Sequence, residues 1–135
     1  MELTPYLNFN GTCRQAFAFY QQVLGGTIDF MQTHGDSPMK DHVSSDWHDK
    51  IMHASLNVDG KTTIMGSDAP VEHYTPAQGI YVSIGIPTAT EGARIFTALA
   101  EGGRVTMPFS QTFWSPGFGM VVDRFGTPWM INSGA

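Results

Sequence analysis

The side chains best suited to acid–base or nucleophilic chemistry in this 135-residue chain are five histidines and a single cysteine. His53 stands in Ile51-Met52-His53-Ala54-Ser55-Leu56-Asn57-Val58, where apolar and polar residues alternate. That two-residue period puts His53 on the same side of a strand as Ser55 and Asn57. An imidazole so placed can act as a general base or donate a hydrogen bond to a bound oxyanion. His53 is therefore the candidate catalytic residue. The competing reading is a histidine whose ring nitrogens are satisfied by Ser, Tyr or backbone. His34, His42 and His48 share one polar stretch with Asp36, Asp41, Asp46 and Asp49. Its spacing is not a helical i, i+4 ligand pair, not H-E-x-x-H, and not the ordered oxygen ligands of a calcium loop. We read 33–50 as a solvated loop suited to a lid, with Trp47 closing on a ligand. Cys13 opens a helix, a place where thiol acidity can rise. No His or Asp stands near it in sequence, so it reads as packing. No G-x-S-x-G marks a nucleophilic serine.

The elements that position these residues repeat. Leu7-Asn8-Phe9-Asn10-Gly11-Thr12, a helical pattern and Gly25-Gly26-Thr27-Ile28 are matched by Val82-Ser83-Ile84-Gly85-Ile86-Pro87-Thr88, a helical pattern and Gly102-Gly103-Arg104-Val105. Thr12 with Gln15, and Thr88 with Glu91, have the spacing of capping boxes. Phe17, Tyr20 and Leu24 form one apolar stripe, and Gly92, Ile95 and Leu99 form its counterpart. Strand patterns follow each helix: Thr27–Gln32, Ile51–Val58 and Lys61–Ser67, then Arg104–Met107, Gly119–Asp123 and Thr127–Asn132. Asp59-Gly60 is a hairpin signal. Each module thus reads βαβββ: module one 1–68, a linker 69–78 carrying Pro70 and Pro76, and module two 79–135, together one domain. Strand alternation turns Tyr6, Asn8, His53, Ser55, Met65, Tyr81, Met130 and Asn132 to one polar-aromatic side. That side suits a small-molecule cleft. Phe109, Phe113, Trp114 and Phe118 form a further aromatic concentration, either a pocket wall holding Trp114 or packing across a dimer.

Charged residues make up 14% of the chain, against ~25% in typical soluble domains. A net charge of −5 argues against a nucleic-acid partner. No apolar run approaches the ~20 residues of a membrane span, and no basic-then-apolar start marks a secretory signal. One cysteine excludes an internal disulfide and points to the cytoplasm.

Tandem βαβββ modules with these sequences resemble the vicinal oxygen chelate superfamily of glyoxalases, bleomycin- and fosfomycin-resistance proteins and extradiol dioxygenases, and within it the PhnB-like, glyoxalase-like branch. The resemblance is carried by Pro5-Tyr6-Leu7-Asn8-Phe9-Asn10-Gly11, Ala18-Phe19-Tyr20, Asp49-Lys50-Ile51-Met52-His53-Ala54, Met65-Gly66-Ser67-Asp68, Phe113-Trp114 and Asp123-Arg124-Phe125-Gly126-Thr127-Pro128-Trp129-Met130-Ile131-Asn132. It implies an α+β fold in which the two modules form a cupped, mostly antiparallel sheet with helices on the outer face. It also implies a homodimer. Some relatives carry a demethylubiquinone methyltransferase label, yet no strand–glycine-rich-turn–helix for a nucleotide-like cofactor is present. The superfamily's metal positions correspond to Thr4 or Pro5, Met65, Tyr81 and Met130. None is His, Asp, Glu or Cys, so neither a metal nor another cofactor is expected. The leading reading is a metal-independent glyoxalase-like protein that binds or converts a small polar-aromatic ligand. The alternatives are a metal-dependent lyase, transferase or dioxygenase of the superfamily, and an antibiotic- or metabolite-sequestering protein without turnover.

Overall fold

Residues 1–134 are described in this computed structural model, which divides into two compact units, Met1–Pro76 and Ala77 onward. The first contains β1 (Tyr6–Phe9), α1 (Cys13–Leu24), β2 (Thr27–Thr33), β3 (Ile51–Val58) and β4 (Lys61–Asp68). The second contains β5 (Val82–Ile86), α2 (Ala89–Ala100), β6 (Arg104–Ser110), β7 (Gly117–Val122) and β8 (Pro128–Ser133). The βαβββ order anticipated from the repeat is present in both. The strands form two four-stranded sheets, ordered β1-β4-β3-β2 and β5-β8-β7-β6. The first and last strands of each unit pair in parallel, and the other pairings are antiparallel. No helix among the described residues is long and apolar enough to cross a membrane.

α2 buries the stripe that its sequence announces, and α1 buries Phe17 and Tyr20 of its stripe, with Val23 rather than Leu24 as the third buried residue. Cys13, Ala16, Phe17, Tyr20 and Val23 of α1 are buried, and so are Gly92, Ile95, Phe96 and Leu99 of α2. Phe17 meets Phe9 edge-on, with ring centroids 6.2 Å apart. Fully burying such side chains contributes about 1.5–3 kcal/mol each. Gly66 on β4 lets the helix approach closely, since a Cβ there would lie 2.8 Å from the Phe17 ring. Ala54 pairs with Gly66 and Leu56 with Ile64, so these residues face α1.

Local signals fare unequally. Asp59 (φ 56°) and Gly60 (φ 79°) are both left-handed, the type I′ geometry that suits a two-residue hairpin. Thr88 caps α2 through a 3.2 Å bond that its hydroxyl accepts from the Glu91 N–H. The Glu91 carboxylate binds Arg94 rather than completing the box. Thr12 makes no side-chain cap. Its place is taken by Asp68 from the end of β4, whose Oδ1 accepts from the Gly11 and Cys13 N–H groups at 2.9 Å. The strand expected to stop at Met107 runs on to Ser110 and includes Pro108. β6 is an edge strand, and an edge tolerates a residue with no N–H to donate.

Candidate functional site

Register assembles the site in the first unit. Cross-strand partners share a face of a sheet. Tyr6 pairs with Met65, Met65 with Ser55 and Ser55 with Phe30, giving one row across all four strands. In the adjacent row Asn8 pairs with Ser67 and His53 with Gln32. These residues lie opposite the face that α1 covers. Tyr6 and Phe30 are 45% and 47% exposed, so their rings are open to a ligand.

His53 is the chemical centre of this face. The Tyr6 hydroxyl lies 2.9 Å from its Nδ1, with the two rings inclined at 26°. Phe30 is on it as well, its ring centroid 5.6 Å away. Beside them the Ser67 hydroxyl donates to Asn8 Oδ1 at 3.3 Å. Tyr6, Asn8, His53, Ser55 and Met65, expected together from alternation, are together. Phe30 and Gln32 were not foreseen. Ladder irregularities beside both residues break the simple period of β2, and only their pairing with Ser55 and His53 reveals their side.

The other expected residues lie in the second unit. Met130 pairs with Ser83 and Met120, and Asn132 with Gly85 and Phe118. Trp114 stands edge-on to Phe118, with centroids 5.2 Å apart, and is 50% exposed. Tyr81 precedes β5 and is 39% exposed.

The donor set on the first face does not fit a divalent cation. Its one imidazole is bonded to Tyr6, and its neighbours are Ser, Asn, Gln, Phe and the Met65 thioether. Among the described residues, no three His, Cys, Asp or Glu side chains come within reach of one ion. Two buried aspartates serve the scaffold. Asp68 also accepts from the Ile51 N–H at 2.8 Å. Asp123 accepts from the Phe125 and Thr127 N–H groups and from the Trp129 indole at 2.8 Å. In the 33–50 stretch His34 is buried, and its Nε2 donates to the Asp68 carbonyl at 3.0 Å. A cavity of about 230 Å³ lies between this stretch and the segment after β4, lined by His42, Ser44, Asp46, Trp47, Val71 and Glu72. Burial, aided by the Asp68 charge, pushes the Cys13 thiol far above its ordinary range and leaves it inert.

A family model described as 3-demethylubiquinone-9 3-methyltransferase matches residues 1–132. Protein YjdN of Escherichia coli (strain K12) is 36% identical over 140 residues, spanning 98% of this chain and 95% of that protein. The crystal structure of protein PA1353 from Pseudomonas aeruginosa superposes with a TM-score of 0.90 at 46% identity, covering 99% of this chain and 98% of that one. A glyoxalase/bleomycin resistance/dioxygenase family enzyme from Burkholderia phytofirmans PsJN shares the fold, with a TM-score of 0.63 at 16% identity over 96% of this chain and 97% of that one.

Proposed function

The chain belongs to the family described as 3-demethylubiquinone-9 3-methyltransferase, the PhnB-like branch of the glyoxalase/bleomycin resistance/dioxygenase superfamily, and from that premise we propose that it is a metal-independent protein binding a small polar-aromatic molecule. The observation that carries this reading is the Tyr6–His53 pair on an open, polar-aromatic face. Tyr6 and Phe30 offer planar surfaces for stacking, Asn8, Ser55 and Ser67 offer side-chain dipoles, and Met65 offers an adaptable apolar contact. In the second unit Tyr81, Trp114, Met130 and Asn132 are proposed as ligand contacts on the same grounds. The methyl transfer in the family description lacks support in the β1–α1 connection. It reads Asn10-Gly11-Thr12, without the glycine-rich turn that cradles a nucleotide-like cofactor.

Screening small aromatic compounds by thermal shift and then by titration tests the reading. A true ligand should bind His53→Ala about tenfold or more weakly, through loss of the hydrogen bond and ring contact that the imidazole supplies. Chelating agents should leave its affinity unchanged. Binding that survives His53→Ala, or that chelation abolishes, defeats the proposal. Turnover is the second reading. It is favoured by His53 Nε2, which no hydrogen bond from the described residues occupies. Mass spectrometry separates the two: product accumulation means catalysis, and stoichiometric uptake without product means sequestration. We also propose a homodimer, supported by the low charge content and by exposed aromatic side chains. The buried, inert thiol suits the cytoplasmic setting proposed with it.

A further inference from the structure

We infer that Tyr6 fixes the tautomer of His53, so that Nε2 bears the ring proton and the face selects planar aromatic ligands carrying an oxygen acceptor, such as a carboxylate. The inference rests on the binding face proposed above and adds the ligand's chemical class.

A distance of 2.9 Å between Tyr6 Oη and His53 Nδ1 admits two arrangements. Either the phenol donates to an unprotonated Nδ1, or a protonated Nδ1 donates to the phenol oxygen. A phenol is the better donor, because its oxygen lone pair is drawn into the ring, whereas an unprotonated imidazole nitrogen is a strong acceptor. Tyr6 has no other hydrogen-bond acceptor among the described residues. The phenol therefore donates, Nδ1 accepts, and the proton of the neutral ring sits on Nε2. The ring is also held in place, with Tyr6 inclined to it at 26° and Phe30 packed at 5.6 Å. A half-turn of the ring would put Cδ2 in the place of Nδ1 and break the Tyr6 bond.

Nε2–H is then a donor that no hydrogen bond from the described residues claims. The surrounding positions, Asn8, Gln32, Ser55, Met65 and Ser67, carry no carboxylate to repel an anionic oxygen and no Lys or Arg to bind it elsewhere. The Gln32 amide gives one of its two N–H groups to the Asp36 carbonyl at 3.1 Å. His53 is thus the donor at the centre of a neutral surface flanked by two partly exposed rings. A planar molecule stacked on those rings would meet Nε2–H at its centre, with the amide groups of Asn8 and Gln32 beside it, an arrangement that rewards an oxygen acceptor and offers an ammonium group no carboxylate.

Side-chain ¹⁵N NMR of the full chain decides this, recorded where the imidazoles are neutral, with His53 assigned by comparison with His53→Gln. The wild type should show His53 protonated on Nε2. Tyr6→Phe, which removes one exposed oxygen, should let both tautomers appear. Benzoate should shift His53 Nε2 and bind Tyr6→Phe about twofold more weakly, as an evenly divided tautomer requires, while benzylamine leaves the ring unmoved. A His53 protonated on Nδ1, a tautomer unaffected by Tyr6→Phe, or a stronger response to benzylamine than to benzoate overturns the proposal. The wild-type tautomer needs no variant, so a misfolded Tyr6→Phe does not spare the inference. If neither probe perturbs the face, its ligand class and the proposed function fall together. If benzoate binds with His53 in the other tautomer, this proposal alone fails.

Discussion

A cysteine and a histidine show how far single residues can be read in advance. Cys13 opens a helix, the setting of many reactive thiols, but with no His or Asp near it in sequence it reads as packing, and the fold does bury it, beside Asp68. Burial first, and the Asp68 charge second, raise its pKa far above the ordinary 9.0, with Arg14 opposing. The consequence is a pH dependence with a definite sign. In the unfolded chain the thiol ionises near pH 9, whereas in the folded chain it keeps its proton. The unfolded state therefore binds fewer protons above that pH, and stability falls as pH rises through it. Urea midpoints measured from roughly pH 8 to pH 10 should decline more steeply for the wild type than for Cys13→Ala, whatever that variant costs in packing. Equal slopes would show that the thiol ionises alike in both states. The side of the strand on which His53 lies was legible as well, because an uninterrupted two-residue period assigns it from a few neighbours. Phe30 was not, since the irregularity after Ile28 breaks that period within a strand of only seven residues.

The repeated elements are built alike and capped differently. β1 with β4, and β5 with β8, pair in parallel with matching registers, so Asp68 opposite Phe9 and Ser133 opposite Ile86 occupy equivalent places. In the first unit Asp68 reaches the start of α1 and satisfies its N–H groups. In the second unit Ser133 Oγ is buried with no partner among the described residues, and the cap comes from Thr88. Sequence shows two identical T-x-x-E/Q signatures and cannot distinguish them, because the competing group on Asp68 is more than fifty positions away from Gly11 and Cys13. Most of each helix stripe, the hairpin turn and the βαβββ order along the chain are local in this sense and were legible; the capping swap is not. Thr88→Ala should cost about 1 kcal/mol and Thr12→Ala close to nothing. Asp68→Ala strands three backbone donors, two of them in buried bonds, and should cost on the order of 3–5 kcal/mol. Denaturant titrations of the three variants check the order, and a Thr12→Ala loss as large as that of Thr88→Ala would refute it.

For the molecule as a whole, the composition and the surface point the same way. Only 14% of residues are charged, and large apolar side chains stand in water in both units, those of the second being Phe113 at 97%, Ile80 at 72%, Trp114 at 50%, Val105 at 45% and Tyr81 at 39% exposure. Phe113 packs edge-on against Trp114 at 4.7 Å, and Trp114 in turn against Phe118, so three of the aromatic rings form one cluster rather than scattered exposures. Isolated exposed apolar residues need no explanation, but a cluster of rings ending in a fully exposed Phe does, and a covering partner is its usual meaning. The homodimer proposed above accounts for it with no second protein. Sedimentation equilibrium at micromolar concentration should then return twice the 14.8 kDa chain mass. Phe113→Ser combined with Trp114→Ser should weaken the association by about tenfold or more, because aromatic anchors dominate interface energetics. The double variant touches only exposed positions, so its circular dichroism should match that of the parent. A wild type that sediments as a single chain would rule out the dimer, and a dimer indifferent to both substitutions would place the interface on another surface.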